Sequence, residues 1–581
     1  MTNADKSSSE PNRVTRSPDG RPARPSLMAR FGPLTVILVA ISLAMGMASF
    51  GHSSSAGAPG NRVSGSNSTG SESSSESELP ISYPEARAAG TTSDYDWGAD
   101  CDTTTGRVKI PSVFAAPCVV ARPEVNRPGT TQGVTADTIK VVAYQYADDD
   151  LSAVLQSNMD PPELQGETLQ RFVELLTSRM STWGRKIEIV PLKGSGSDET
   201  SSRADAVKVA TEIGAFASLG GPGQQGAYAE ELAHRGVICI GCGLSVPDST
   251  FQANAPYMWG TTMTPEQYLT TVGDYLFGRL LNRPAEFAGD PKMRSRKRVF
   301  GSVQFEQDPP VFDETKRILA ERGAKVGYKS AAAVTYQLVI PELAEKARSI
   351  VTQMKEAGVT TVLFFGDPIM PIYLTQAATG QNYFPEWVIT GTVLTDTTVF
   401  GRMYDQAQWA HAFGLSNLAA RLPLAQSESW KLHRWYFGEN PSAEKTAGVL
   451  FEPVRILLTG IHMAGPVLTP ETFRDGMFSI PPTGGTPTKP QMSFGNHGFF
   501  SQPDYLAFDD MTEIWWDAKA AGPDEQGVEG TGMLRYVDGG RRYLGGELPT
   551  TVPDVFNEEG SVAMYAMPLP EEKTPEYQPE R

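Results

Sequence analysis

From residue 133 onward the chain alternates between two spacings of apolar residues. Short apolar runs bounded by glycine or polar residues predict strands over 138–144, 186–192, 217–219 and 237–241. Between them apolar positions recur at helical spacing. Leu169, Phe172, Val173, Leu175 and Leu176 give 164–182 a broad apolar face, and Ala206, Val207, Val209, Ala210 and Ile213 do the same for 202–213. A further helix is expected over 225–234. After a basic, polar stretch at 290–298 the pattern starts again. Strands are predicted at 298–304, 324–329, 360–365 and 387–390, and helices at 311–322, 343–357 and 369–379. Helices at 427–437, 446–464 and 470–477 follow, then an apolar run over 510–516 that ends in Trp515 and Trp516. Repeated strand–helix–strand units predict α/β architecture, with parallel sheets flanked by helices. Two such lobes in series, followed by helices and a late strand, imply several crossings between lobes and a cleft between them.

Two turns in the first lobe carry unusually little bulk. Strand 217–219 runs into Gly220-Gly-Pro-Gly-Gln-Gln-Gly226, and strand 237–241 into Cys242-Gly-Leu-Ser245. Adjacent β-to-α turns without bulky side chains let a ligand approach the backbone and aim helix-start N–H groups at it. The first turn lacks the Lys-Ser/Thr pair of a P-loop and the full dinucleotide spacing, so no nucleotide or other cofactor is expected.

Composition divides the chain further. Residues 1–30 carry six cationic and three acidic side chains, a local charge of +3 within a total of −17. The acidic remainder argues against nucleic acid as a partner. Residues 31–51 contain no charged side chain and are long enough to cross a bilayer, with the cationic flank on the cytoplasmic side. An uncleaved anchor is the favoured reading and a cleaved signal peptide the competing one. The 11 serines of 51–80 mark a disordered tether. The expected organisation is a tail at 1–30, the anchor or signal at 31–51, a linker at 52–94 and a cysteine-containing lead-in at 95–132. Lobe 1 takes 133–268 and about 400–500, lobe 2 takes 269–399 and about 501–555, and 556–581 forms a disordered tail.

Four cysteines allow three connectivities, which the sequence leaves open. Local pairing, Cys101 with Cys118 and Cys239 with Cys242, is expected because each pair is close in sequence. Cys239 falls inside an apolar strand, which favours a structural bridge over a redox dithiol. The histidines are scattered without zinc spacing, no Gly-X-Ser-X-Gly elbow appears, and Asp148-Asp-Asp150 lacks the EF-hand pattern. No metal site and no catalytic set are expected.

The order and spacing of these segments resemble the type I periplasmic binding proteins, above all the branched-chain amino-acid binding branch that serves ABC importers. The resemblance spans about 133–517 and rests on Gly133-Val-Thr-Ala-Asp-Thr-Ile-Lys-Val141, Gly184-Arg-Lys-Ile-Glu-Ile-Val190, 218–230, 237–245 and Pro256-Tyr-Met-Trp-Gly-Thr-Thr262. It implies a two-lobed clamshell that closes on a small solute and works with a membrane permease, without enzymatic activity. It places Gly223, Gln224 and Gln225 in the first ligand-contacting turn, and Gly243 and Ser245 in the second. The second lobe departs from the pattern at Glu306-Gln-Asp-Pro-Pro310, Phe365-Gly-Asp-Pro368 and Thr390-Gly-Thr-Val-Leu-Thr-Asp396. Asp308, Asp367 and Asp396 are the candidate ligand contacts there, each with a turn or helix cap as the alternative role. A receptor subunit that signals through a membrane partner is the alternative function.

Overall fold

The computed structural model describes residues 79–122, 131–150, 160–223, 226–242, 246–306, 312–551 and 555–579. The chain divides into units 1–69 and 70–581, and every described residue belongs to the second. The expected basic tail, membrane segment and most of the serine-rich linker lie outside the described residues.

Lobe 1 is built on five parallel strands: β1 (Thr138–Gln145), β2 (Lys186–Lys193), β3 (Ala217–Leu219), β4 (Ile238–Ile240) and β5 (Met258–Trp259). Their order across the sheet is β2-β1-β3-β4-β5. β3 and β4 are buried at every position, as central strands covered on both faces must be. Helices α1 (Pro162–Thr177), α2 (Glu199–Lys208) and α3 (Ala227–His234) connect them. The chain then leaves for lobe 2 through α4 (Pro265–Asp274), which packs into the second lobe's core rather than the first.

Lobe 2 repeats the plan. Strands β6 (Phe300–Phe305), β7 (Ala332–Tyr336), β8 (Thr361–Phe365), β9 (Glu386–Ile389) and β10 (Ala412–Ser416) run parallel in the order β7-β6-β8-β9-β10. Helices α5 (Asp313–Ala324), α6 (Leu343–Glu356) and α7 (Met370–Gly380) connect the first four strands. The strand expected at 324–329 is displaced: α5 continues to Ala324, Gly327 turns the chain at φ +74°, and pairing starts at Ala332. β10 also falls outside its expected lobe, because 412–416 pairs with β9 instead of joining lobe 1. The pairing depends on glycine: a Cβ on Gly414 would lie 1.9 Å from the Ile389 carbonyl oxygen. An antiparallel extension completes the sheet with β11 (Met511–Pro523), β12 (Glu529–Val537), β13 (Arg542–Tyr543) and β14 (Ser561–Val562).

Between β10 and β11 the chain returns to lobe 1 and forms α8 (Glu428–Phe437), α9 (Ala447–Ala464) and α10 (Pro470–Phe478). α9 is apolar enough to span a bilayer by composition, yet most of it is buried in lobe 1 against α1 and α10. The lead-in is folded onto the same lobe. Two short antiparallel pairs, 81–82 with 119–120 and 101–102 with 107–108, are closed by the Cys101–Cys118 disulfide. Val108, Ile110 and Phe114 enter the lobe 1 core. The Pro117 carbonyl accepts from His462 Nε2 at 3.0 Å. Since the Ser181 N–H donates to Nδ1 of the same ring, the neutral Nε2–H tautomer is fixed, and burial holds its pKa down at about 4. The C-terminal residues, expected as a disordered tail, are also docked on lobe 1. Glu572 accepts from the Thr486 hydroxyl, the Tyr577 carbonyl from Trp435 Nε1, and the Gln578 carbonyl from Arg179.

Four stretches of chain join the lobes among the described residues: 260–264, 417–427, 508–510, and 563–571, which runs from β14 in lobe 2 to the lobe 1 contacts of Glu572 and Tyr577. They are fastened by buried polar groups. Gln267 Nε2 donates to Asp504 Oδ1 at 2.7 Å. Arg542 Nε donates to Asp510 Oδ1 at 2.7 Å, while its Nη atoms reach the Asn417 and Leu418 carbonyls at 2.8 Å. Asp509 Oδ2 accepts from Ser493 Oγ and Gln491 Nε2. Asp504 Oδ2 and Asp509 Oδ1 have no hydrogen-bond partner among the described residues. Burial pushes the Asp504 carboxyl well above its usual range, aided by neighbouring Asp509 and Asp248, and raises Asp509 to about 7. It also raises Glu266 to about 6.

A carboxyl whose folded pKa lies above its unfolded one stabilises the fold in acid, and that contribution disappears as pH rises through the folded value. Between pH 6.5 and 8 Asp509 should therefore withdraw about 1 kcal/mol of stability. The expected result is a melting temperature that falls over this interval, with a smaller fall in Asp509→Asn. An identical pH profile in the variant would refute the assignment.

Candidate functional site

Both lobes have their strands in the order 2-1-3-4-5 when each lobe's parallel strands are numbered by chain position. In such sheets the helices switch faces between the first and third strands, and the crevice left at the carboxyl ends of those two strands is where ligands bind. In lobe 1 this crevice lies between the exits of β1 and β3. In lobe 2 it lies between those of β6 and β8.

The lobe 1 crevice is closed by one backbone contact. Asp150, buried after β1, accepts at Oδ2 from the Gly223 N–H after β3, at 3.2 Å. The turn needs its glycines. Gly220 sits at φ +74°, and a Cβ on Gly221 would come within 2.8 Å of the Tyr228 ring. Tyr228, fully buried on α3, shares a hydrogen bond with Ser218 Oγ at 2.9 Å and packs on Tyr144 with ring centroids 4.9 Å apart. The neighbouring exit after β4 is tied by the Cys239–Cys242 disulfide, whose Cα atoms are 5.8 Å apart. Both cysteines are buried. Gly223 thus borders the crevice. Gln224, Gln225, Gly243, Ser245 and Asp308 lie outside the described residues.

In lobe 2 the two described candidate carboxylates are engaged within their own lobe. Asp367 Oδ1 accepts from the Ile369 and Met370 N–H groups at 2.8 and 3.0 Å, in the turn that leads into α7. Its Oδ2 accepts from the Tyr336 hydroxyl. Asp396 Oδ2 accepts from the Ser416 hydroxyl, and burial raises its pKa to about 6. Both side chains are buried, so neither presents a free carboxylate in this conformation. The turn role, left open by the sequence, is the one Asp367 occupies, just ahead of the first residue of α7.

A different feature stands at the exit of β9, and the sequence carried no signal for it. Threonine hydroxyls bind the turn together: Thr390 Oγ1 donates to the Phe364 carbonyl at 2.6 Å, Thr395 Oγ1 to the Thr392 carbonyl at 2.6 Å, and the Gly366 N–H to Thr392 Oγ1 at 3.3 Å. The turn holds Val393 at φ +28° and Leu394 at φ +62°. A β-branched residue at positive φ is strained, and such strain gathers at sites where geometry serves function. Its effect here is to leave Leu394 exposed at 43% on the carboxyl edge of the sheet. In this conformation Thr390, Thr392 and Thr395 are buried like the two carboxylates, and Leu394 is the exposed side chain of the turn.

No family model matches the chain, and no curated protein does. Among solved structures the chain is similar to an ABC transporter solute-binding protein from R. palustris in complex with 4-hydroxybenzoate. That likeness has 14% identity, a TM-score of 0.47 and coverage of 68% of this chain and 97% of the other. It is also similar to the branched-chain amino-acid transporter substrate-binding protein LivJ from Streptococcus pneumoniae with isoleucine, at 14% identity, TM-score 0.45, and 69% and 100% coverage. A third is a type 1 periplasmic binding protein from Bordetella pertussis, at 15% identity, TM-score 0.43, and 65% and 97% coverage. Each of these is a likeness in fold.

Proposed function

We propose that this chain is an extracytoplasmic solute-binding protein of an ABC-type importer, tethered by the uncharged segment 31–51 and delivering its solute to a membrane permease. The observation that carries the reading is the duplicated switch point: two lobes of the same strand order, joined by several crossings of the chain. A solute lying between the crevices touches both lobes, and it favours the closed form by as much as it binds that form more tightly than the open one. The solute is small and polar, amino-acid-like or amide-like, held in lobe 1 by the backbone of 220–225 and by Gly243 and Ser245. In lobe 2 the backbone around 390–395 supplies neutral hydrogen bonds, with Leu394 beside it. No bond is made or broken. The tether keeps the lobes near the membrane and raises their effective concentration at the permease.

A thermal-shift screen of the full-length chain against amino acids, amides, short peptides and sugars tests this. One class should raise the melting point, by about 2.7 kcal/mol of added stability at a hundredfold excess over Kd. Silence across all classes argues against transport. The double variant Gln224→Ala, Ser245→Ala should weaken binding at least tenfold while melting like the parent. Asp367→Ala should do the reverse, losing about 1–2 kcal/mol of stability with its turn hydrogen bonds. Unchanged affinity in the double variant would remove those two residues from the site. For the tether, deleting residues 1–51 should move the protein from the membrane pellet to the soluble fraction.

A further inference from the structure

Among the buried arginines, Arg279, Arg298, Arg421, Arg455 and Arg542 have carboxylate partners, namely Glu513, Glu386, Glu525, Glu452 and Asp510. Arg107, in the lead-in, has none among the described residues. Its guanidinium donates to two neutral oxygens, the Ala115 carbonyl and Thr483 Oγ1. Burial without a compensating charge draws its pKa down. A desolvated cation of this kind is expensive to leave unmatched.

Beside it lies a cavity of about 40 Å³ in the seam between the lead-in and lobe 1. That space holds an ion with a water or two, whereas an ordinary organic ligand needs roughly 300 Å³ or more. Arg107 and Phe114 line it from the lead-in, Arg455 and Thr459 from α9, and Met492 from the segment after α10. Thr459 is 5% exposed, and its hydroxyl has no hydrogen-bond partner among the described residues. Arg455 spends Nε and Nη2 on Glu452 and the Met492 sulfur, with its charge stacked 5.0 Å from the Phe114 ring. Glu452 balances one of the two guanidinium charges at this cavity. The other remains, next to an orphaned hydroxyl donor and a largely apolar wall.

We propose that this cavity is a binding site for a chloride-sized monovalent anion, held by the Arg107 and Arg455 guanidinium groups and the Thr459 hydroxyl. A water would satisfy the hydroxyl but not the charge. The anion bridges the lead-in to α9 and so fastens the lead-in onto lobe 1, whatever solute the cleft takes.

The test is made on the full-length chain with sodium bromide and sodium chloride against sodium gluconate at matched ionic strength. Halide should raise the melting temperature by about 2 °C or more over gluconate. Bromide-soaked crystals should give an anomalous peak in the cavity, within contact of Arg107 and Thr459. Arg107→Gln should abolish the halide-specific rise, and Thr459→Val should reduce it. A bromide map empty at the cavity means water alone and overturns the proposal, and so does a halide response that survives in Arg107→Gln. Should either variant fail to fold, the bromide map of the parent protein decides.

Discussion

One guanidinium fixes how the two lobes are joined. Arg542 stands on a lobe 2 strand, yet its donors reach Asp510 in the third crossing and the Asn417 and Leu418 carbonyls in the second. It is buried, so these bonds are made away from competing water. Removing it would leave Asp510 as an uncompensated buried charge, a loss of about 3–5 kcal/mol. A separate buried bond, Gln267 to Asp504, ties the start of α4 to the segment before 508–510. Apolar packing is non-directional and would let the lobes slide. Hydrogen bonds have direction, and they confine the crossings to a defined set of angles.

The duplicated sheet order gives that confinement its use. Each lobe leaves a crevice at the carboxyl end of its first and third strands, and the crossings bring those ends into a common arrangement. The lobes are not equivalent, however. The first opens onto glycine backbone and a buried aspartate, whereas in the second the threonine hydroxyls and the carboxylates are both turned inward and Leu394 is exposed.

Much of the fold was legible because central parallel strands are continuous apolar runs. Segments such as Thr361–Phe365 have no other plausible fate, since both faces are covered. β10 escaped notice because Ala412-Phe-Gly-Leu-Ser416 is short and broken by a glycine, and only the register with Ile389 reveals why that glycine is there. β12 was missed for a related reason, as its Glu529-Gly-Thr-Gly start has the composition of a loop. The lead-in and the C-terminal segment have no regular apolar period, and their docking includes contacts distant in sequence, such as Tyr577 with Asp102, which no local pattern encodes. In the candidate site, glycines announced the lobe 1 turn because a tight approach has few residue choices. Asp367 was ambiguous for the opposite reason: a ligand contact and a turn call for the same side chain. The strained turn at Val393 was invisible, since its backbone angles are imposed by threonine bonds to neighbouring strands.

The attachment of both flanking segments to lobe 1 has a mechanical consequence. Asp102 of the lead-in and Tyr577 of the C-terminal segment meet in a 2.8 Å hydrogen bond, while nearby Asp100 accepts from Arg179 and the Tyr577 carbonyl from Trp435, both on lobe 1. A pull applied through the chain before residue 79 enters lobe 1 at the disulfide-closed lead-in. The C-terminal segment carries part of that load onward, because it is paired into the lobe 2 sheet at β14 and bonded to lobe 1 at Trp435 and to the lead-in at Asp102.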